Sequence, residues 1–418
     1  MYKKKEEETK PVKIQAPAFT LEDHKKQLAA WIEAEHIPGK FQAWYTAPAD
    51  PMHSDWRIKS VFKGAQELLE VEVPVRKMDV PEIVTQILSQ LRKEHLRAFR
   101  KSIRQILLRA TGDGRFAMLV QANLRGRNSA HGSKTFIDFV QRSLPEIQSL
   151  HFVQCKPDHL FDPATAQTVS TEARCVLGKD FMPIADTGFS MHVLDWAPRV
   201  KDAWIGLPKR IADAIHPAKN DRLFEFYSAS AYVGASLASM FERVDCLDCR
   251  ETAMLSARNN ARALIENNLK FHRQKLDANF FAKFFHKPEN EGRWTFYFNL
   301  PGDEPLATGV VQTAAASRPE RILLQTSNLE VAAKEIRKFR NEGYMLRKSV
   351  PLYLEPGSAK FEVLFIFVPD RNGLLGRNPA ILGRSRTVQR PKERIERAKN
   401  GNIPHFVQKS PTFKSRKD

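Results

Sequence analysis

The sequence predicts a doubly wound α/β unit over residues 201–369, a smaller α+β domain over 19–200, a charged extension at 1–18 and a basic tail at 370–418. Three observations carry this. Between Asp221 and Pro369 apolar runs alternate with helix-like segments, the signature of a mainly parallel sheet. Before residue 200 short period-two strands surround amphipathic helices. Finally, 66 Lys+Arg against 48 Asp+Glu leave +18 in 418 residues, and +10 of it falls in residues 371–418, which hold 13 Lys+Arg and 3 Asp+Glu.

Each element has its own warrant. Thr20 and Asp23 form an N-cap pair before LEDHKKQLAAWIEAEH, where Leu21, Leu28, Trp31 and Ile32 recur at helical spacing and Pro38-Gly39 closes the helix. WRIKSVF and ELLEVEVPVR read as strands. Pro81 opens one long helix through Ile103, with Val84, Leu88, Leu91 and Phe99 on its apolar side. Lys93, Arg97, Arg100, Lys101 and Arg104 share another face of it, either to bind phosphates or as a solvated surface. IRQILLRAT and GRFAMLVQAN are strands, followed by a glycine-containing loop, RGRNSAHGSK, with Arg125, Arg127 and Lys134 able to grip RNA backbone. DRLFEFY, ERVDCLD, WTFYFNL, ERILLQT and KFEVLFIFV are the strands of the α/β unit. The tail, with Arg384, Arg386 and Arg390, fits a segment that orders along RNA or between proteins.

Composition narrows the classes. With 42% hydrophobic and 27% charged residues the chain buries a core and is not fully disordered. No stretch approaches the roughly 18 consecutive apolar residues of a membrane span. Cys155, Cys175, Cys246 and Cys249 are too few for a disulfide scaffold in a chain this long, which points to an intracellular, reducing compartment. Cys246-x-x-Cys249 is a single pair, and Cys155 and Cys175 lack the spacing to complete a zinc site with it, so no metal is expected. The cationic excess points to phosphate backbones as partners.

Five segments, in order, resemble the class I, S-adenosylmethionine-dependent RNA uridine-5-methyltransferases. DRLFEFYSASAYVGASLA is similar to that family's first strand and nucleotide loop, and ERVDCLDCRETAMLSARNNARALIENN to its second strand and the following helix. FYFNLPGDEP stands where the family has Asp-Pro-Pro-Arg, RPERILLQTSNLEVAAKEI where it has Ser-Cys-Asn-Pro, and VPLYLEPGSAKFEVLFIFV at its closing hairpin. Upstream, the first helix, WRIKSVF and FMPIADTGFSMHVLDW resemble its RNA-binding portion more thinly. The resemblance implies a Rossmann-like class I methyltransferase domain preceded by an RNA-binding domain.

The family's reaction needs a thiolate that adds to carbon 6 of uracil, a base that removes the proton from carbon 5, and a glycine loop that holds the cofactor. Ser327 takes the nucleophile's position, and a hydroxyl without a dedicated base is too weak for that step; it also reads as a simple turn residue. Asn299 replaces the acid of Asp-Pro-Pro-Arg. Glu362 falls on the proton-abstracting glutamate, though a strand glutamate also reads as solvent-facing. In the loop, Ser228-Ala229-Ser230-Ala231 stands where the family has Cys-Gly-x-Gly, and an alanine at a glycine position costs about 1 kcal/mol or more in a left-handed conformation. Glu225 and Asp248 survive at strand ends, Asp248 where the family's acid holds the ribose hydroxyls. The family's iron–sulfur cysteines have no counterpart.

The expectation is a pseudoenzyme: a methyltransferase-like RNA-binding scaffold or assembly factor, on ribosomal RNA and with ribosomal or ribosome-assembly proteins as partners. No cofactor is expected, or S-adenosylmethionine at weak affinity. The alternative is an active uridine-5-methyltransferase of ribosomal or transfer RNA. The expected compartment is the mitochondrion, with a presequence removed, or the cytoplasm and nucleolus.

Overall fold

The computed structural model describes residues 12–14, 19–48, 52–63, 66–72, 79–112, 114–154, 160, 172–184, 187–263, 268–285, 293–300 and 304–371. Cys155 and the tail with Arg384, Arg386 and Arg390 lie outside the described residues. The chain divides into two units, Met1–Asp370 and Arg371–Asp418, and every element below belongs to the first.

Strand β1 is Val12–Ile14 and helix α1 is Leu21–Ala34. Thr20 caps α1 by the expected capping box: its hydroxyl accepts from Asp23 N at 3.2 Å, and its own N–H donates to the Asp23 carboxylate at 2.8 Å. Next come β2 (Lys40–Phe41), β3 (Tyr45–Thr46), β4 (Trp56–Lys63) and β5 (Gln66–Glu72).

The single helix expected from Pro81 to Ile103 is instead α2 (Glu82–Arg92), a 3₁₀ turn at Glu94–Leu96 and α3 (Arg97–Ser102), with Ile103 opening a strand. Lys93 is extended, at φ −62° and ψ 137°. Arg100 folds back and donates to the Leu91 carbonyl at 3.1 Å, satisfying a helix end that would otherwise have continued. Strands β6 (Ile103–Ala110) and β7 (Phe116–Ala122) follow. The expected loop at 125–134 is mostly helix: α4 runs Arg127–Ser143 with Gly126 at its N-cap. Gly132, read as a loop glycine, lies within α4 because a Cβ there would sit 2.6 Å from Phe99 Cβ on α3.

Strands β8 (Ile147–Gln154) and β9 (Glu172–Leu177) complete a sheet of order β1-β5-β4-β6-β7-β8-β9. Its outer face carries α2, α3 and α4 over Ile106, Leu108, Met118 and Val120. A hairpin of β10 (Phe181–Pro183) and β11 (Ser190–His192) leads to α5 (Lys201–Ile205) and α6 (Leu207–Ile215).

The second sheet begins with β12 (Asp221–Phe226), α7 (Tyr232–Ser236), β13 (Arg243–Asp248), α8 (Glu251–Ala263) and β14 (Leu269–Arg273). It continues through α9 (Ala278–Phe284), β15 (Arg293–Asn299), α10 (Val310–Ala316), β16 (Arg321–Thr326) and α11 (Leu329–Asn341), closing with β17 (Tyr344–Tyr353) and β18 (Glu362–Pro369). The order is β14-β13-β12-β15-β16-β18-β17-β2, parallel up to β16 with β18 antiparallel between β16 and β17. Every sheet strand expected in this half is present. Strands β2 and β3 pair with β17, so residues 40–46, expected in the first domain, are built into the second sheet.

One apolar core runs from Leu107 and Leu119 of the first sheet, through Met182, Met191, Trp196, Trp204 and Ile211, to Leu223 and Val244 of the second. Buried ions fasten the same junction: Lys201 Nζ donates to Asp55 Oδ2 and to Pro198 O, both at 2.7 Å, and Arg109 donates to the carbonyls of Val193 and Asp195. The opposite face of the second sheet packs phenylalanines 224, 226, 281, 296 and 298 with α1, α9, α10 and α11.

Candidate functional site

The strand order changes direction between β12 and β15, and a doubly wound sheet has its ligand crevice at the carboxyl ends of the strands on either side of such a point. The residues singled out from sequence converge on that edge. Glu225 is near the end of β12, the 227–231 loop follows it, Asp248 ends β13, Asn299 ends β15 and Ser327 follows β16. Thr326 pairs with Val363, so Glu362 at the start of β18 lies at the same end.

The loop keeps a glycine-loop shape without its glycines. Tyr227, Ala229 and Ala231 have φ of 59°, 50° and 57°, and each left-handed non-glycine residue costs about 1–2 kcal/mol. The fold imposes the conformation regardless. Ser228 N donates to Leu247 O at 3.2 Å and Ala231 N to Ser228 O at 2.7 Å, while Asn260 on α8 donates to Ser230 O at 3.1 Å. Ala229 and Ala231 are fully buried in the core shared with Trp204 and Tyr232. The hydroxyls of Ser228 and Ser230 are buried with no hydrogen-bond partner.

Asp248 is fully committed within the chain. Oδ2 accepts from Ala229 N at 3.0 Å and Arg250 Nη2 at 2.7 Å; Oδ1 accepts from Arg250 N at 2.9 Å and Arg250 Nε at 3.0 Å. Arg250 thus takes it bidentately, the strong geometry for a guanidinium on a carboxylate. Glu225 is buried, and Oε2 accepts from Gly234 N at 2.9 Å. Burial raises its pKa to about 8. Gly234, not singled out from sequence, is needed there: a Cβ would lie 2.5 Å from Glu225 Oε2 and 2.8 Å from Cys246 Sγ. Its signal was its place in the helix after the loop, where a third glycine permits close helix–strand packing.

Glu362 does not simply face solvent. It is half-buried, and Gln325 Nε2 donates to its Oε2 at 2.5 Å while Gln325 Oε1 accepts from the buried Tyr297 hydroxyl at 2.8 Å. Burial lifts the Glu362 pKa to about 7. Ser327 occupies the turn between β16 and α11, and the neighbouring Asn328 caps the helix, accepting from Glu330 N at 2.9 Å and Val331 N at 3.1 Å. Asn299 is buried. The two cysteines of the CxxC pair diverge: Cys246 points inward, donating to Glu225 Oε2 at 3.5 Å, whereas Cys249 is exposed.

The basic residues singled out from sequence lie elsewhere, on and around α2, α3, β6 and α4. Lys93, Arg97, Arg100, Lys101 and Arg104 do not share one helical face, because the helix is broken, and Arg100 is turned onto Leu91 O. The break brings two sequence features together instead. Asn123 N donates to Ser102 O at 2.9 Å, and α4 crosses α3 at Gly132 and Phe99. That bond sets the backbone around Lys101 and Arg104 near the start of the segment carrying Arg125 and Arg127; all four are exposed, as are Lys134 about two turns along α4 and Arg97 on α3, which pairs with Glu94 at 3.1 Å. Lys93, also exposed, ends α2.

In its overall fold the chain is similar to the crystal structure of the Pyrococcus abyssi tRNA (uracil-54, C5)-methyltransferase in complex with S-adenosyl-L-homocysteine: 15% identity, 83% of this chain and 82% of that one covered, TM-score 0.56. The fold is the Rossmann-like one of the class I methyltransferases. Trm5b of the same organism is matched over 84% of this chain and 98% of its own, at 11% identity and a TM-score of 0.39. No protein-family model matches the chain, and no curated protein does. Among the described residues no helix is long and apolar enough to cross a membrane.

Proposed function

We propose that the chain is an RNA-binding protein on a methyltransferase fold that no longer transfers methyl groups and serves as a scaffold or assembly factor on structured RNA, with ribosomal RNA favoured. The observation that carries this reading is Asp248: the acid that would hold a nucleoside's hydroxyls is held by Arg250 and Ala229 N through four hydrogen bonds. Displacing a bidentate, charge-assisted pair for two neutral hydroxyls is uphill. The alanine methyls at 229 and 231 fill the core where a ligand's backbone contact would need glycine. These residues do not fit tight S-adenosylmethionine binding. Ser327 supplies no thiolate, and Asn299 supplies no carboxylate. The joined basic edge of α3, β6 and α4 supports RNA as the partner, with the tail's +10 favouring ribosomal RNA and the proteins around it, in the mitochondrion or the cytoplasm and nucleolus.

A second reading, a working uridine-5-methyltransferase, is favoured by Glu362, whose pKa of about 7 suits a proton acceptor, and by the two unpartnered loop hydroxyls. One experiment separates them. Radiolabelled S-adenosylmethionine and 5-fluorouridine-substituted RNA are expected to give neither methyl transfer above blank nor a covalent adduct, while crosslinking recovers a structured RNA. An adduct that disappears in Ser327→Ala would overturn the scaffold reading.

A further inference from the structure

His151 on β8 and Cys175 on β9 are directly paired across the antiparallel ladder, at a register shift between Leu150 and His151. Just beyond β9 the chain turns at Gly178, where a φ of +78° and a backbone pressed against the Gln148 carbonyl oxygen leave no room for a Cβ and admit only glycine. That turn brings Asp180 back over the pair. The three donor atoms lie within 4.8 Å of one another. His151 is fully buried, and its hydrogen bonding sets the tautomer: Nε2 lies 3.3 Å from the Lys179 carbonyl, which can only accept, so Nε2 carries the proton. Nδ1 is left with its lone pair, buried, without a hydrogen-bond partner and 3.7 Å from Asp180 Oδ1.

A buried imidazole whose outer N–H is anchored by a carbonyl, whose bare nitrogen faces a carboxylate and which sits opposite a thiol in the ladder, is the arrangement of a metal ligand; the Cys175 thiol donates to Leu177 O and Gly178 O at 3.4 and 3.5 Å and would release that proton to bind an ion as thiolate. We propose that His151 Nδ1, Cys175 Sγ and the Asp180 carboxylate bind a divalent ion of the zinc class. Tetrahedral zinc with bonds of about 2.0–2.3 Å needs donors about 3.6 Å apart, so the observed spacing closes by roughly 1 Å through side-chain rotation. Asp180 is half-exposed, which leaves a path for entry and a fourth position for water. His192 stays outside the ligand set, since its Nδ1 accepts from Leu194 N at 3.1 Å and its Nε2 therefore bears the proton.

The site lies where the first sheet hands over to the β10–β11 hairpin. That hairpin is bonded to α8: Ser190 N donates to Asn260 Oδ1 and His192 N to Ser256 Oγ, at 2.8 and 2.9 Å. An ion here staples the first sheet's edge to the segment packed against the nucleotide loop. Spacing along the chain could not show it, because His151 lies on β8, far from Cys175 and Asp180 in sequence, and only the ladder brings it to them.

Cobalt(II) titration of the metal-free full-length protein tests this, because cobalt bound by thiolate gives a charge-transfer band that oxygen and nitrogen ligands do not. The band should saturate at one equivalent and be displaced by zinc. Cys175→Ser should abolish it, Cys249→Ser should retain it, and Asp180→Asn, at an exposed position that leaves folding intact, should weaken affinity at least tenfold. Zinc should also raise the melting temperature of the native protein and not that of Cys175→Ser. Absence of a thiolate band at one equivalent, its survival in Cys175→Ser, or unchanged affinity in Asp180→Asn would each overturn the proposal.

Discussion

Glu225 is a carboxyl that the fold wants neutral. In the unfolded chain it titrates near 4.5; burial raises it to about 8 in the folded protein. The folded state therefore binds a proton that the unfolded state has released throughout that interval. The stability this represents is complete below about pH 4.5 and is lost as pH rises through 8, a loss of a few kcal/mol. Glu225→Gln keeps an oxygen for Gly234 N and removes the charge. Its denaturation midpoint should fall less steeply between pH 5 and pH 8 than that of the native chain, the fall that remains coming from Glu362, which burial also raises. Parallel profiles for the two proteins would remove the assignment.

At the level of elements, Gly132 sets a propensity argument against a packing one. Alanine is a better helix former than glycine by about 1 kcal/mol, so an isolated α4 would gain from Gly132→Ala. In the fold the added Cβ would sit 2.6 Å from Phe99 Cβ, between two helices whose crossing has no slack. Gly132→Ala should lower stability by about 1–3 kcal/mol with an unchanged denaturant slope, whereas Lys134→Ala on the exposed side should be near neutral. A stabilised Gly132→Ala would show that the helices separate at little cost. The same glycine explains one expectation that the structure corrected: beside Gly126 it looked like loop punctuation, and only a partner helix gives it another purpose. The break at Lys93 was illegible for a similar reason, since no glycine or proline marks it and the stop is made by Arg100 reaching Leu91 O. The second sheet was legible because its buried strands centre on short apolar runs between helix-like segments, such as Leu223-Phe224 in DRLFEF and Ile322-Leu323-Leu324 in RILLQT. The order of those runs placed Glu225, Asp248, Asn299, Ser327 and Glu362 at one edge. What occupies their polar atoms was not readable: the Gln325 link to Glu362 crosses strands, and an Asp-x-Arg spacing says nothing of whether the two side chains meet.

For the whole molecule, structural polarity and charge are divided. The acids at the site edge of the second sheet are held by Arg250, Gln325 and Gly234, while exposed cations lie on the first sheet's α3, β6 and α4, and the sequence of 371–418 carries a further +10. Removing 371–418 takes 13 Lys+Arg and 3 Asp+Glu, and leaves +8 of the original +18. Each phosphate neutralised contributes about 0.7–0.9 to the slope of log affinity against log salt. With about half of the tail's cationic side chains on phosphates, truncation should make that slope shallower by about five, and lower affinity most at low salt. The described elements lie in Met1–Asp370, so the truncated chain should keep its melting profile and its residual, α3–β6–α4-dependent binding. Fluorescence anisotropy with a structured RNA across a salt series measures both quantities. A truncated chain with the same slope and affinity as the intact one would place RNA binding wholly on the folded unit and leave the tail for protein partners.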